Sequence, residues 1–212
     1  MITVWGRATS SNVQTVMWAL AELKLQAERI DVGGAFGGLD TPEYRTMNPN
    51  GRIPVIKDGD LVLWESAACL RYLGARYGGS AFWPADPGAR AGLDMWAEWI
   101  KTTFATAFNY GVFWQLVRTP SIERNMDQIA KNIEAVKPLA TMLDDRIGEG
   151  PFLDGSELSF ADVMVGHQLY RYYTLDIDRA ETPHLDAYYA RLVARPTYSE
   201  HVMVSYETLR VA

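Results

Sequence analysis

Few side chains in this sequence are of the kinds that carry covalent or metal chemistry, and those that are do not cluster. There is one cysteine, Cys69, and the three histidines, His167, His184 and His201, lie far apart. A disulfide framework or a thiolate zinc site needs several cysteines at set spacings, so neither is expected and no metal is implied. Hydrogen-bonding groups do cluster. Arg7-Ala8-Thr9-Ser10-Ser11-Asn12-Val13 lines up hydroxyls and an amide just ahead of a helical pattern, and Asn48-Pro49-Asn50-Gly51-Arg52 adds amides and a cation. Glu65-Ser66 stands before a second apolar helix. Taken singly, each has a plain structural reading: Pro49-Asn50-Gly51 is a turn, Glu65-Ser66 a helix cap, and Ser11 or Asn12 the cap of the first helix.

The elements that must position these groups can be read from periodicity. A short apolar run, Ile2 to Gly6, is followed by a helical pattern at Val13, Val16, Met17, Leu20 and Leu23 and then by a strand over Glu28 to Val32. After the loop Gly33 to Gly38, a short helix over Thr41 to Met47 opens on Thr41-Pro42, an N-cap followed by a first-turn proline. Strands at Pro54 to Lys57 and Leu61 to Trp64 flank Asp58-Gly59-Asp60, a hairpin signal, and a helix over Ser66 to Tyr77 closes the unit.

From Gly78 to Gly88 the composition turns to Gly, Ser, Pro and Asp, which reads as a linker; it divides the chain into domains over 1–78 and 88–212. Beyond it the pattern is helical. Ile122, Met126, Ile129, Ile133, Val136 and Leu139 fall along one face, with Pro138 inside the run, where loss of an amide predicts a kink or break near Val136. Ser159 and Asp162 form a helix start with Leu158 and Val163 as its hydrophobic staple.

Bulk properties limit the partners. At 212 residues with 48% hydrophobic and 22% charged residues, the chain can bury a sizeable core and carries no signature of disorder. Its net charge of -6 argues against nucleic acid as a partner. No segment approaches the roughly 18 to 20 apolar residues of a membrane span. Met1-Ile2-Thr3-Val4-Trp5-Gly6 lacks the build of a signal peptide, so a cytoplasmic protein without membrane attachment is expected.

Three segments together resemble the glutathione S-transferase superfamily. Asn48-Pro49-Asn50-Gly51-Arg52-Ile53-Pro54-Val55-Ile56 is similar to its loop before the third strand, and Leu63-Trp64-Glu65-Ser66-Ala67-Ala68-Cys69-Leu70-Arg71-Tyr72-Leu73 to its next helix entrance. Gly150-Pro151-Phe152-Leu153-Asp154-Gly155 through Ser159-Phe160-Ala161-Asp162 resembles its capped sixth helix, so the likeness spans essentially the whole chain. It implies an α/β plus all-α fold: a thioredoxin-like N-terminal domain that binds glutathione, and an all-helical C-terminal domain shaping a hydrophobic second pocket.

The same resemblance implies roles. Pro54 is expected in the cis form, turning Ile53 to pair its backbone with the cysteinyl residue of glutathione as an added strand. Glu65 and Ser66, at a helix N-terminus, would hold the γ-glutamyl end through free amides and a carboxylate, and Arg52 would pair with a ligand carboxylate. The thiolate is the nucleophile, so a donor must face its sulfur. Ser10 matches the serine of the serine-type classes, with Ser11 and Thr9 as rivals. Asn12, where many relatives carry Pro, resembles the Ser-x-Asn subgroup and would be a second donor. No tyrosine lies in this segment, and Cys69 falls inside a helix as a small buried residue, so tyrosine- and cysteine-based mechanisms do not match. Tyr110, Phe113 and Trp114 are candidates for the second-substrate pocket, although such aromatics also suit a core or interface. A homodimer is implied. The activity implied is conjugation of glutathione to a hydrophobic electrophile. Glutathione-dependent reduction of peroxides or disulfides, or a non-catalytic binding module on the same fold, are the alternatives.

Overall fold

A computed structural model describes residues 1–211. Strand β1 (Ile2–Trp5) buries Ile2 and Val4 and occupies the middle of a four-stranded sheet of order β2-β1-β3-β4. It pairs in parallel with β2 (Ala27–Ile30), Val4 opposite Arg29, and antiparallel with β3 (Val55–Asp58), Val4 opposite Ile56. The parallel pair needs a crossover, which α1 (Ser11–Glu22) supplies by burying Val13, Val16, Ala19 and Leu20. β2 ends two residues short of the predicted Val32, although Val32 still accepts from the Arg7 amide at 3.2 Å.

The short helix α2 (Pro42–Met47) begins as its sequence dictates, with Thr41 Oγ1 accepting from the Tyr44 amide at 3.2 Å. β3 and β4 (Leu61–Trp64) form the predicted hairpin, and Gly59 takes the positive φ of 59° that the turn demands. Helix α3 (Ser66–Tyr77) has the predicted limits. The segment after it is anchored to the rest of the fold: Phe82 is buried, its carbonyl accepts from the Phe160 amide at 3.0 Å, and Trp83 lies 4.7 Å from the Phe160 ring.

The remainder is helical. Helix α4 (Pro87–Trp99) passes without a break into π-helical stretches over Ile100–Phe104 and Thr106–Phe113 and ends in α5 (Trp114–Val117). Helix α6 (Met126–Ile147) is followed by α7 (Phe160–Thr174), α8 (Pro183–Val193) and α9 (Pro196–His201). Of the kink or break expected near Val136, the break does not occur: α6 continues through Pro138. One lost amide is outweighed by a face that buries Ile129, Val136, Ala140, Leu143 and Ile147. That face also corrects the predicted one, since Ile122 lies ahead of the helix, 93% exposed, and Met126 is exposed too. π-helical turns leave carbonyls poorly matched. Asn132 of α6 meets one of them, donating from Nδ2 to the Gly111 carbonyl at 2.8 Å.

Helix α1 is shared between the two parts. Gly166 of α7 allows it to approach: a Cβ there would lie 2.7 Å from both Trp18 and Leu192. At the end of α1, the buried Glu22 carboxylate accepts from Trp18 Nε1 at 2.8 Å, from Arg195 Nε and Nη2 at 2.9 and 2.5 Å, and from the Thr197 hydroxyl. Burial opposes ionisation, but these donors hold the Glu22 carboxyl below its ordinary value of 4.5. A depressed folded-state pKa means stability that is present above the ordinary value and lost as pH falls through the folded one. Glu22→Gln is therefore expected to cost about 1–2 kcal/mol near neutrality, reduced because Arg195 remains one-third exposed. In urea denaturation the difference from wild type should shrink as the pH drops below about 4.5.

Candidate active site

The turn between β1 and α1 is fixed from outside itself. Gln14 Nε2 donates to the Ala8 carbonyl at 3.0 Å, Arg171 Nη2 donates to the Thr9 carbonyl at 2.7 Å, and the Ser10 amide closes onto the Arg7 carbonyl at 3.1 Å. Ser10, rather than Ser11 or Asn12, occupies the N-cap position of α1 and uses its carbonyl for the Val13 and Gln14 amides, at 3.0 and 2.9 Å. Its hydroxyl makes no capping bond. Asn12 reaches across to α3, where its Oδ1 accepts from Ser66 Oγ at 3.2 Å. That bond uses the Asn12 amide oxygen and leaves its nitrogen to donate elsewhere, and it joins the N-termini of two helices whose first-turn amides have no intrahelical acceptor.

A second loop is held with equal care. Buried Asn48 accepts from the Asn50 amide at 3.0 Å and donates to the Arg52 carbonyl at 2.8 Å; that carbonyl also accepts from the Tyr44 hydroxyl at 2.8 Å. The Ile53–Pro54 peptide is cis, as predicted, and Pro54 is buried. Ile53 lies before β3, and among the described residues its own N–H and C=O have no backbone partner. Glu65 precedes α3 with φ of 70°, one of two non-glycine residues with positive φ among those described. Such backbone costs of order 1–3 kcal/mol and is concentrated at functional sites. Its exposed carboxylate pairs with Lys101 Nζ at 3.2 Å.

These segments enclose a cleft of about 500 Å³. Of the predicted residues, Ser10, Asn12, Arg52, Ile53, Tyr110, Phe113 and Trp114 line it together, with the rivals Thr9 and Ser11. Pro54, Glu65 and Ser66 are not in its wall: Pro54 is buried, Ser66 connects through Asn12, and Glu65 through Lys101, which lines an adjoining pocket of about 180 Å³. Tyr110 and Trp114 meet edge to face at 4.7 Å and are exposed, whereas Phe113 is buried. Cys69 is fully buried, and burial pushes its thiol up to about 12, far from a reactive thiolate.

Sequence reasoning missed three arginines in the wall, Arg7, Arg118 and Arg171. Arg171, on α7, has its guanidinium 4.5 Å over the Phe113 ring, and Arg118 stands 4.7 Å over Trp114. Burial first, then Arg118 and Arg7, lower Arg171 to about 10; burial and Arg118 lower Arg7. Arg171 still carries its charge at neutral pH. Only Arg7 falls within a segment already singled out, and nothing in the spacing of the other two connects them to it. Among the described residues no group of histidine, cysteine and carboxylate side chains converges as a metal site, and no helix is long and apolar enough to cross a membrane.

A central strand with one parallel and one antiparallel neighbour, a cis-proline loop before β3 and an all-helical second part define a thioredoxin-like domain joined to a helical one. Family models agree: the glutathione S-transferase N-terminal domain matches residues 1–75 and the C-terminal domain matches residues 125–191. The chain is 34% identical over 206 residues to glutathione S-transferase GstB of Escherichia coli, covering 96% of this chain and 99% of that one. Glutathione S-transferase 3 of Zea mays is 29% identical, with 95% and 93% covered. A solved theta class glutathione S-transferase of Xanthomonas axonopodis pv. citri, with glutathione bound, is 44% identical with a TM-score of 0.90, covering 96% of this chain and 98% of that one. The chain belongs to the glutathione S-transferase family and is an enzyme of that class.

Proposed function

We propose that this enzyme activates the glutathione thiol with the Ser10 hydroxyl, assisted by the Asn12 amide, for attack on an electrophile held beside Tyr110, Phe113 and Trp114. The observation that carries this reading is a serine that lines the cleft at the N-cap of α1 and whose hydroxyl caps nothing. Residues 1–78 bind the tripeptide. Ile53 offers its unpaired backbone to the cysteinyl residue behind cis-Pro54, Arg52 meets the glycyl carboxylate, and the first amides of α3 at Ser66 take the γ-glutamyl carboxylate. Glu65 accepts from the ligand's ammonium, which displaces Lys101. Residues 88–212 shape the second pocket. The reading extends to a cytoplasmic homodimer meeting through α3 and α4, supported by the exposure of Tyr77 and Met95 on those helices.

Calorimetric titration with glutathione, followed by turnover of a chromogenic aryl halide, tests the proposal. Binding and conjugation support it; binding without conjugation of any electrophile sinks the transferase half. The reach of Asn12 into the site beside Ser10 favours one second reading, glutathione-dependent reduction. There a peroxide accepts two electrons from two glutathione thiols, which become the disulfide. Coupling through glutathione reductase reads it as NADPH oxidation, and no oxidation excludes it.

The strained backbone of Glu65 gives a further expectation. Glu65→Gly relieves the positive φ and should raise stability by about 1 kcal/mol in urea denaturation. It also removes a carboxylate from the ligand's ammonium, so the glutathione dissociation constant should rise about tenfold. Higher stability with unchanged affinity would show that Glu65 takes no part in binding.

A further inference from the structure

The wall of the main cleft contains four arginines, Arg7, Arg52, Arg118 and Arg171, and not one aspartate or glutamate. The adjoining pocket adds Lys101 and again no acid. This concentration of positive charge sits in a chain of net charge -6, so it is a local feature rather than a reflection of composition. Among the described residues, Arg7, Arg118 and Arg171 form no ion pair with any carboxylate. Arg171 is only 5% exposed and is fixed in place by the Thr9 carbonyl and the Phe113 ring. Arg171 is a buried charge without a counter-ion, beside the half-buried Arg7 and the exposed Arg118; such a charge is costly, and a site that maintains it is arranged for an anion brought from outside.

Glutathione does not account for that anion. On the reading above it brings two carboxylates and one ammonium, which Arg52, the N-terminus of α3 and Glu65 already match. Arg7, Arg118 and Arg171 are left over, and two of them stand over Phe113 and Trp114, on the second-substrate side. We propose that the second substrate is itself an organic anion, an electrophile bearing a carboxylate, with its charged end among Arg7, Arg118 and Arg171 and its reactive carbon toward the thiolate beside Ser10. The planar guanidinium fork suits a carboxylate, and the aromatic rings leave an apolar face for the substrate body. This rests on the glutathione reading and narrows it. The thiol proton passes to solvent before attack. Sulfur then donates its electron pair to form the carbon–sulfur bond, the carbon–halogen bond breaks, and halide leaves with the bonding pair.

The test compares a chlorodinitrobenzoate with its neutral methyl ester, each kcat/KM divided by the uncatalysed rate with glutathione because the ester is intrinsically more activated. The expected result is a preference for the acid of at least about tenfold, falling to near unity in an Arg7→Met/Arg118→Met double variant. Using the ratio within each enzyme cancels any general loss of activity. Equal use of acid and ester by the wild type, or a preference that survives the double substitution, overturns the proposal. Glutathione binding is measured separately by calorimetry, and its absence marks failure of the underlying reading. In that event titration of the protein with nitrobenzoate and nitrobenzamide decides the anion site by itself: tighter binding of the acid supports it and equal binding overturns it.

Discussion

Replacing Ser10 by alanine is expected to lower kcat for conjugation by about a hundred- to a thousandfold while leaving glutathione affinity within a few fold of wild type. A free thiol has a pKa of about 8.5, so lowering it by two units stabilises the thiolate by roughly 2.7 kcal/mol. A hydroxyl donor and the α1 N-terminus together can supply that much. Removing one preorganised donor from a developing anion costs of the order stated. The Ser10 hydroxyl has no capping role to lose, so Ser10→Ala should unfold at the same urea concentration as wild type. Two comparisons sharpen the assignment. Asn12→Ala should cost about tenfold, since it also frees Ser66 Oγ from its 3.2 Å bond. Ser11→Ala and Thr9→Ala should each cost less than threefold. Loss of activity in Ser11→Ala and not in Ser10→Ala would move the donor by one residue.

The largest effect on stability is expected at Asp162, which is completely buried near the start of α7. Its carboxylate accepts from the Leu153 amide at 2.9 Å, the Ser159 amide at 2.8 Å, Ser159 Oγ at 2.7 Å and the Tyr188 hydroxyl at 3.0 Å. One side chain thus secures the helix start, the loop before it and α8. Asp162→Ala leaves the two amides without an acceptor in the core and the Tyr188 hydroxyl with only the long 3.5 Å contact to the residue 162 carbonyl. At about 1–3 kcal/mol for each unsatisfied group, with partial relief from entering water, the expected loss is about 4 kcal/mol. Urea denaturation followed by circular dichroism measures it. Ser159→Ala retains the carboxylate and should cost only about 1 kcal/mol, the ordinary value of an N-cap. Equal losses in the two variants would show that the cap hydroxyl, rather than the carboxylate, organises this corner.

What the sequence made legible was local. The start of α7 was written in Ser159, Asp162 and their flanking Leu158 and Val163, because a capping box is complete within a few residues. The limits of α3 and the Asp58-Gly59 turn were legible for the same reason. Pro138 does not break α6 because its local cost is real but smaller than the burial of Val136 and Ala140 on either side, which only tertiary packing reveals. The π-helical stretch over Ile100–Phe104 and Thr106–Phe113 has no recognised spacing in sequence. Its satisfied carbonyl at Gly111 depends on Asn132, twenty-one residues away. The hydroxyl and amide run at Thr9 to Asn12 was visible, but the freedom of Ser10 from capping was not, since it turns on which residue takes the N-cap. Arg118 and Arg171 were invisible because charge converges in a cleft through the fold, and each alone is an ordinary surface-type residue.

The central claim is that the cleft lowers the pKa of a bound glutathione thiol by hydroxyl and amide donors. Ultraviolet difference absorbance of the enzyme–glutathione complex, titrated against pH, reads the thiolate directly. The account predicts that the bound thiol ionises about two units below the free value of about 8.5, and that Ser10→Ala raises it by at least about one unit towards that value. A bound thiol that titrates at or above the free value in the wild-type enzyme would contradict it.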